Sequence, residues 1–270
     1  LFAAELNGKI PSALQNYEDI LTSSVIGPFQ YLSSHTYFQK VLETCVNISG
    51  QQMTFGSPIN ECRFVFWPKL ENSEPDLLIK VKTESGSEIL ICIEAKYWSD
   101  KSSHEDQLTD IHERTSGQRD QLAREIEDIH KNNCMRYLNI DKNKMNNVVL
   151  IYLTNHTSFP REEVLESILH VNGVQFRKEQ LYWVTWREIH NSISKIKSFL
   201  TVQDSKLLND LKTLLEKKGL QSFNGFLHNI ERVSGIIDTY NTTLASYSWT
   251  YQRDTRKLNW YYGGNQSGEK

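Results

Sequence analysis

What the chain lacks narrows its chemistry first. Its four cysteines, Cys45, Cys62, Cys92 and Cys134, include no C-x-x-C pair, and its eight histidines are scattered. That spacing offers no clustered thiolate or imidazole set for zinc. The expectation is buried free thiols in a reducing cytoplasm. No apolar run approaches the roughly 18 residues that a membrane-crossing helix needs, so no membrane partner is expected. Glu5, Asn7 and Lys9 interrupt the N-terminal stretch, which does not fit a secretory leader. There is no glycine-rich phosphate cradle, hence no nucleotide motor, and no serine or cysteine sits in a nucleophile context. There is no internal repeat. Cationic excess is missing too: 30 Lys and Arg against 33 Asp and Glu give a net charge of −3 and a pI near 6.3. A protein that coats nucleic acid nonspecifically is disfavoured, and any phosphate-binding surface has to be a local patch.

What is present reads as α/β. From Pro11, apolar residues at 14, 17, 20, 21, 25, 29 and 32 approximate helical spacing, and Gly27-Pro28 should interrupt it. This predicts helices over about 12–25 and 28–34, another over about 36–46, and a loop over 47–58. The segment 61–67 (E-C-R-F-V-F-W) reads as a strand. Residues 75–82 and 87–96 read as a hairpin around E-S-G-S. Its second strand, I-L-I-C-I, is apolar at successive positions, so it belongs in the middle of a sheet covered on both faces. A helix lies within 105–131, with Thr115-Ser116-Gly117 marking its start. A buried strand at 147–154 follows, then a helix over 160–170 capped by Ser158, a strand over 180–186, and helices over 187–200 and 204–218. The predicted architecture is a mixed central β-sheet flanked by helices. Residues 1–218 form the main domain; 219–270 form a C-terminal extension with an aromatic hairpin and a flexible tail.

The stretch 74–96 carries the chemistry. Two neighbouring strands would bring Asp76, Glu94 and Lys96 to one end of the sheet. Mg²⁺ takes oxygen ligands and keeps several waters, so two carboxylates and a substrate phosphate can hold it. The carbonyl of Ala95 could add a ligand. Lys96 lies two residues beyond Glu94 and shares its face of the strand. Its ammonium could orient the attacking water or stabilise charge on phosphorus. Burial would lower its pKa and the carboxylates would raise it, so its role as a base stays open. The bland reading of each fragment is a strand start and a solvated ion pair.

Pro75-Asp76 followed by Glu94-Ala95-Lys96 resembles the motif of the PD-(D/E)xK nuclease superfamily. The expected order of helix, three strands, helix and strand over about 12–155 resembles its restriction-endonuclease-like core. The resemblance implies a nuclease dependent on Mg²⁺ or Mn²⁺ that cleaves phosphodiester bonds, in DNA or alternatively RNA. It also implies an upstream acidic metal ligand, Glu18 with Asp19 as second choice, and a supporting glutamine, Gln121 with Gln118 one turn earlier. Metal ligation falls to Glu18, Asp76, Glu94 and Ala95. A setting in prokaryotic or phage restriction or antiviral defence follows from the superfamily's distribution, and a homo-oligomer or a partner subunit fits it. The alternative is a catalytically inactive nuclease-fold subunit that binds nucleic acid or a protein. A third reading is a different metal hydrolase.

Other candidates are weaker. Tyr97 and Trp98 could stack on an unpaired base or pack beneath the next loop. Lys80, Lys82, Lys101, Arg114, Arg119 and Arg124 could supply the basic patch. His104 and His112 could hold a second metal. Tyr247, Trp249, Tyr251, Trp260, Tyr261 and Tyr262, interleaved with Arg253, Arg256 and Lys257, suit packing, a subunit interface or a single strand.

Overall fold

The computed structural model describes residues 7, 18–97, 120–131, 137–138, 145–196 and 200–222. Contacts divide the chain into Leu1–Phe223 and Asn224–Lys270, a few residues past the boundary expected at 218/219. The second unit, with the expected aromatic hairpin, lies outside the described residues.

Among the described residues the chain opens with α1 (Glu18–Ile26), a 3-10 turn (Gly27–Tyr31) and α2 (Thr36–Leu42). The strands β1 (Val46–Asn47), β2 (Ile59–Phe66), β3 (Leu77–Thr83) and β4 (Glu88–Ala95) come next. Then α3 (Gln121–Ile129), β5 (Met145–Thr154), α4 (Arg161–Leu169), β6 (Leu181–Thr185), α5 (Trp186–Lys195) and α6 (Val202–Lys217) alternate. The strands form one six-stranded sheet in the order β1-β6-β5-β4-β3-β2. The β4–β5 and β5–β6 pairs are parallel, and the β2–β3, β3–β4 and β1–β6 pairs are antiparallel. The fold is α/β with a mixed sheet flanked by helices.

β4 is central, as its unbroken apolar run requires. Ile91 and Ile93 face a core built with α1, α2, α5 and α6, while Leu90 and Cys92 face a second core under α3 and α4. Strand alternation sends successive side chains to opposite faces, so both must be apolar here. The β3–β4 turn closes with Thr83 N–H donating to the Ser87 carbonyl at 3.0 Å. Gly86 takes a φ of 84°, a conformation that glycine adopts without a Cβ penalty.

Several local expectations shift. The 3-10 turn replaces the second of the two N-terminal helices, because Pro28 has no amide hydrogen to continue the α ladder. The helix expected over about 36–46 stops at Leu42, and β1, a two-residue strand that pairs with β6, straddles its predicted end and the start of the predicted loop. Asp120, not the 115–117 stretch, caps α3, its side chain accepting from Ala123 N–H at 3.0 Å. Pro160 takes the N-cap of α4 without a side-chain cap, so Ser158 does not perform that role. α6 ends one residue earlier than predicted and Gly219 follows at a φ of 70°, as expected of a helix stop. Cys45 and Cys92 are buried and Cys62 is half-buried, and none of the three is in a disulfide; Cys134 lies outside the described residues. Among the described residues no helix is long and apolar enough to cross a membrane.

Candidate metal centre

The antiparallel register pairs Leu77 with Ile93, which sets the start of β3 beside the end of β4. Asp76 precedes β3 and is buried. Its Oδ2 accepts from Ala95 N–H at 2.8 Å, so the carboxyl is tied to the last residue of β4. Its own carbonyl accepts from Trp67 N–H at 3.0 Å. Trp67 is the one described non-glycine residue at positive φ, 47°, an uncommon conformation for a bulky side chain. That turn at the end of β2 holds the backbone of Asp76 in place.

Glu94 and Lys96 follow on the face of β4 that carries α3. Lys96 Nζ lies 2.6 Å from Glu94 Oε1 and 3.2 Å from Glu18 Oε1. Glu18, at the first described turn of α1, comes from the other layer and reaches round the sheet end. Its Oε2 accepts from Tyr97 N–H at 2.7 Å. Asp19 is exposed, which decides between the two acidic candidates. Gln121, the first residue of α3, donates from Nε2 to Glu94 Oε1 at 2.5 Å and to Glu125 Oε1 at 3.1 Å. Glu18, Asp76, Glu94, Lys96 and Gln121 are thus brought together from four separate stretches of chain. Of Ala95, the amide makes the described contact with Asp76.

Burial pushes the Asp76 carboxyl up to about 8, reinforced by the Glu94 charge and opposed by the Ala95 amide and Lys96. Burial also raises Glu94, against the pull of Lys96. Glu125 is held well above the ordinary carboxylate range by burial and by Glu94. Burial opposes the Lys96 ammonium, but Glu94, Glu18 and Asp76 outweigh it and hold its pKa above the usual lysine value. The question left open in the sequence resolves toward a charged lysine.

An oxygen from each of Glu18, Asp76 and Glu94 lies within 4.8 Å of the other two. Oxygens on opposite sides of a Mg²⁺ ion are about 4.2 Å apart, twice a ligand distance of roughly 2.1 Å, so the cluster is close to the size needed. The donors are hard oxygens only, which suits Mg²⁺ or Mn²⁺ rather than a soft metal.

Other expected residues are placed elsewhere. Lys80 pairs with Glu88 at 3.0 Å, near the hairpin turn at the far end of β4. Arg124 donates to the Asn72 carbonyl at 2.7 Å. Tyr97 is buried, and its hydroxyl donates to the Lys218 carbonyl at 3.4 Å, so it packs rather than stacks. Trp98, Lys101, His104, His112, Arg114, Gln118 and Arg119 lie outside the described residues.

Three participants escaped the sequence reading. Glu125 is fully buried in the face of α3 that packs on the sheet. Its signal was spacing: residues 121, 122, 125, 126 and 129 make one helical stripe, and Leu122, Ile126 and Ile129 show that it faces inward. Trp186, fully buried, donates from Nε1 to the Lys96 carbonyl at 3.0 Å and pins the backbone there. Tyr152, opposite Glu94 in the parallel register, donates its hydroxyl to Glu163 Oε1 at 2.6 Å. Comparison of the chain with protein-family models, with curated proteins and with solved structures returns no match.

Proposed function

We propose that this chain is a metal-dependent hydrolase of phosphodiester bonds, acting on DNA, with a PD-(D/E)xK nuclease core. The observation that carries this reading is the gathering of Glu18, Asp76 and Glu94 oxygens within 4.8 Å, with the Lys96 ammonium 2.6 Å from Glu94. The element order α1, α2, β2, β3, β4, α3, β5, with a short β1 inserted, supports the core assignment.

Glu18, Asp76 and Glu94 would hold Mg²⁺ or Mn²⁺. The bound ion supplies a Lewis acid that polarises the scissile phosphate and lowers the pKa of the attacking water. Lys96, kept charged by its carboxylates, donates to a phosphate oxygen or holds the water; it is a poor proton acceptor in this setting. Gln121 fixes the Glu94 carboxylate through its 2.5 Å bond. Trp186 and the Asp76–Ala95 bond hold the strand end that presents the set.

The two ion pairs of Lys96 favour a second reading, a nuclease-fold subunit without catalysis in which the lysine neutralises the acids permanently. One experiment separates the two. Plasmid, linear duplex, single-stranded DNA and RNA are each incubated with the full chain and Mg²⁺, Mn²⁺ or chelator. Cleavage is expected with either ion and not with chelator, and Asp76→Ala or Lys96→Ala should lower it by about 10²–10³-fold or more. Full cleavage by both variants would sink the assignment. Intact folding with no cleavage of any polymer would favour the inactive subunit.

A further inference from the structure

Given the metal-dependent reading above, we propose that Glu125 is a fourth carboxylate ligand of the divalent cation. Nothing in the Asp-Glu-x-Lys arrangement calls for this residue; its surroundings do. Glu125 is 0% exposed, in a stripe that it shares with Gln121, Leu122, Ile126 and Ile129. A carboxyl in such surroundings is costly unless something compensates for it.

Gln121 supplies part of that compensation. Its amide nitrogen donates to Glu94 Oε1 and to Glu125 Oε1, and a primary amide has two hydrogens to give. The two carboxyls are therefore clamped side by side within hydrogen-bond reach of each other, and Glu125 stands next to the Glu18–Asp76–Glu94 group rather than within it. Its other oxygen, Oε2, is buried and has no hydrogen-bond partner. Buried acceptors in folded proteins are almost always matched, so this atom calls for a specific explanation.

Charge points to the nature of the missing partner. Glu18, Asp76, Glu94 and Glu125 converge on one ammonium, that of Lys96. Glu88 also has an unpartnered buried oxygen, but it already has its own lysine, Lys80, at 3.0 Å. Among the described residues no lysine or arginine forms an ion pair with Glu125. A divalent cation beside Glu94 would meet both the vacant acceptor and the excess of acids. Oxygen donors on two helices, on β4 and at the residue before β3 form the rigid frame that such a site needs.

The probe is Mn²⁺, titrated into the full chain by calorimetry, with the wild type, Glu125→Gln, Glu125→Asp and Glu94→Ala in parallel. Glu125→Gln keeps the shape and should unfold at the wild-type temperature when no metal is added. Its Mn²⁺ affinity should fall about 10–100-fold, with Glu125→Asp in between. Should Glu125→Gln fail to fold, Mn²⁺ soaked into wild-type crystals gives an independent reading. Anomalous density within about 2.3 Å of a Glu125 oxygen supports the ligand, and density on Glu94 that leaves Glu125 out of reach overturns it. Affinity in Glu125→Gln within about twofold of wild type, alongside loss in Glu94→Ala, overturns the Glu125 assignment alone. A wild type that binds no Mn²⁺ removes the metal-dependent reading itself, and this inference with it.

Discussion

Of the three buried carboxyls of helix α3, Glu125 and Asp128 lie three residues apart in opposite surroundings. Asp128 is saturated with donors. Its Oδ2 accepts from Asn72 N–H at 2.7 Å and Ser73 Oγ at 2.8 Å, and its Oδ1 accepts from Asn72 Nδ2 at 3.0 Å and Lys131 Nζ at 3.3 Å. Burial works against that charge, but the Asn72, Ser73 and Lys131 bonds prevail and hold the carboxyl below its usual range. This happens near the C-terminus of α3, where the helix dipole disfavours an anion. Glu125 has one amide bond, a hydrogen bond shared with the Glu94 carboxyl and one bare oxygen, and is held far above that range. Asp128 fastens the segment that leads into Asp76 to the helix. Glu125 does no comparable work for the fold. A chain that can satisfy one buried acid four times over, yet leaves its neighbour half-matched, has kept the second for a partner outside the fold.

Unfolding measurements can break this contrast. Asp128→Ala strands the donors of Asn72 and Ser73, and should cost about 2–4 kcal/mol in urea unfolding. Glu125→Gln should cost nothing measurable, or stabilise the chain slightly, because a buried half-paired acid gives way to a neutral group of the same shape. Equal losses in the two variants would mean that Glu125 is as structural as Asp128.

Acidification sharpens the same contrast more gently. The Asp128 carboxyl has a folded pKa below its unfolded value. Its contribution is therefore complete above the ordinary aspartate pKa and disappears as pH falls through the depressed folded value. The stability gap between wild type and Asp128→Ala should be widest near neutrality and close as the solution is taken to about pH 2. A gap that is constant over that range would place the effect of Asp128 in packing rather than charge.

How much of this was legible beforehand depended on whether the signal was local. β4 could be read from I-L-I-C-I, since only a strand covered on both sides tolerates that run, and the hairpin followed from its glycine turn. Asp76, Glu94 and Lys96 were legible because a hairpin fixes which residues meet at its open end. Glu18 is 58 positions before Asp76 and was found through resemblance, not spacing; α1 and β3 meet only once the layers are packed. Glu125 sits in R-E-I-E-D-I, where every acid looks solvated until the sheet shows which stripe turns inward. Lys80 could be counted toward a basic patch only while the β3–β4 register, and with it Glu88, was unknown. β1 has no propensity signal at all: two residues become a strand because the edge of β6 offers its backbone.

The smallest expected effect tests the other end of α3. Asp120 Oδ1 caps the helix through Ala123 N–H at 3.0 Å, and its Oδ2 accepts from Ser167 Oγ at 3.2 Å. Asp120→Ala should cost about 1 kcal/mol of stability, the usual price of a lost cap. Helices fray from their ends, and Gln121 is the first residue of this one, so the clamp between Glu94 and Glu125 should loosen before the stripe of Leu122 and Ile126 does. Cleavage by the folded variant should therefore fall several-fold, more than its stability loss explains, while Glu125, a full turn further in, stays seated on the sheet. Asp120→Ala with full cleavage and a lowered melting temperature would show that Gln121 is held by Glu94 and Glu125 themselves, and that the cap serves the fold alone.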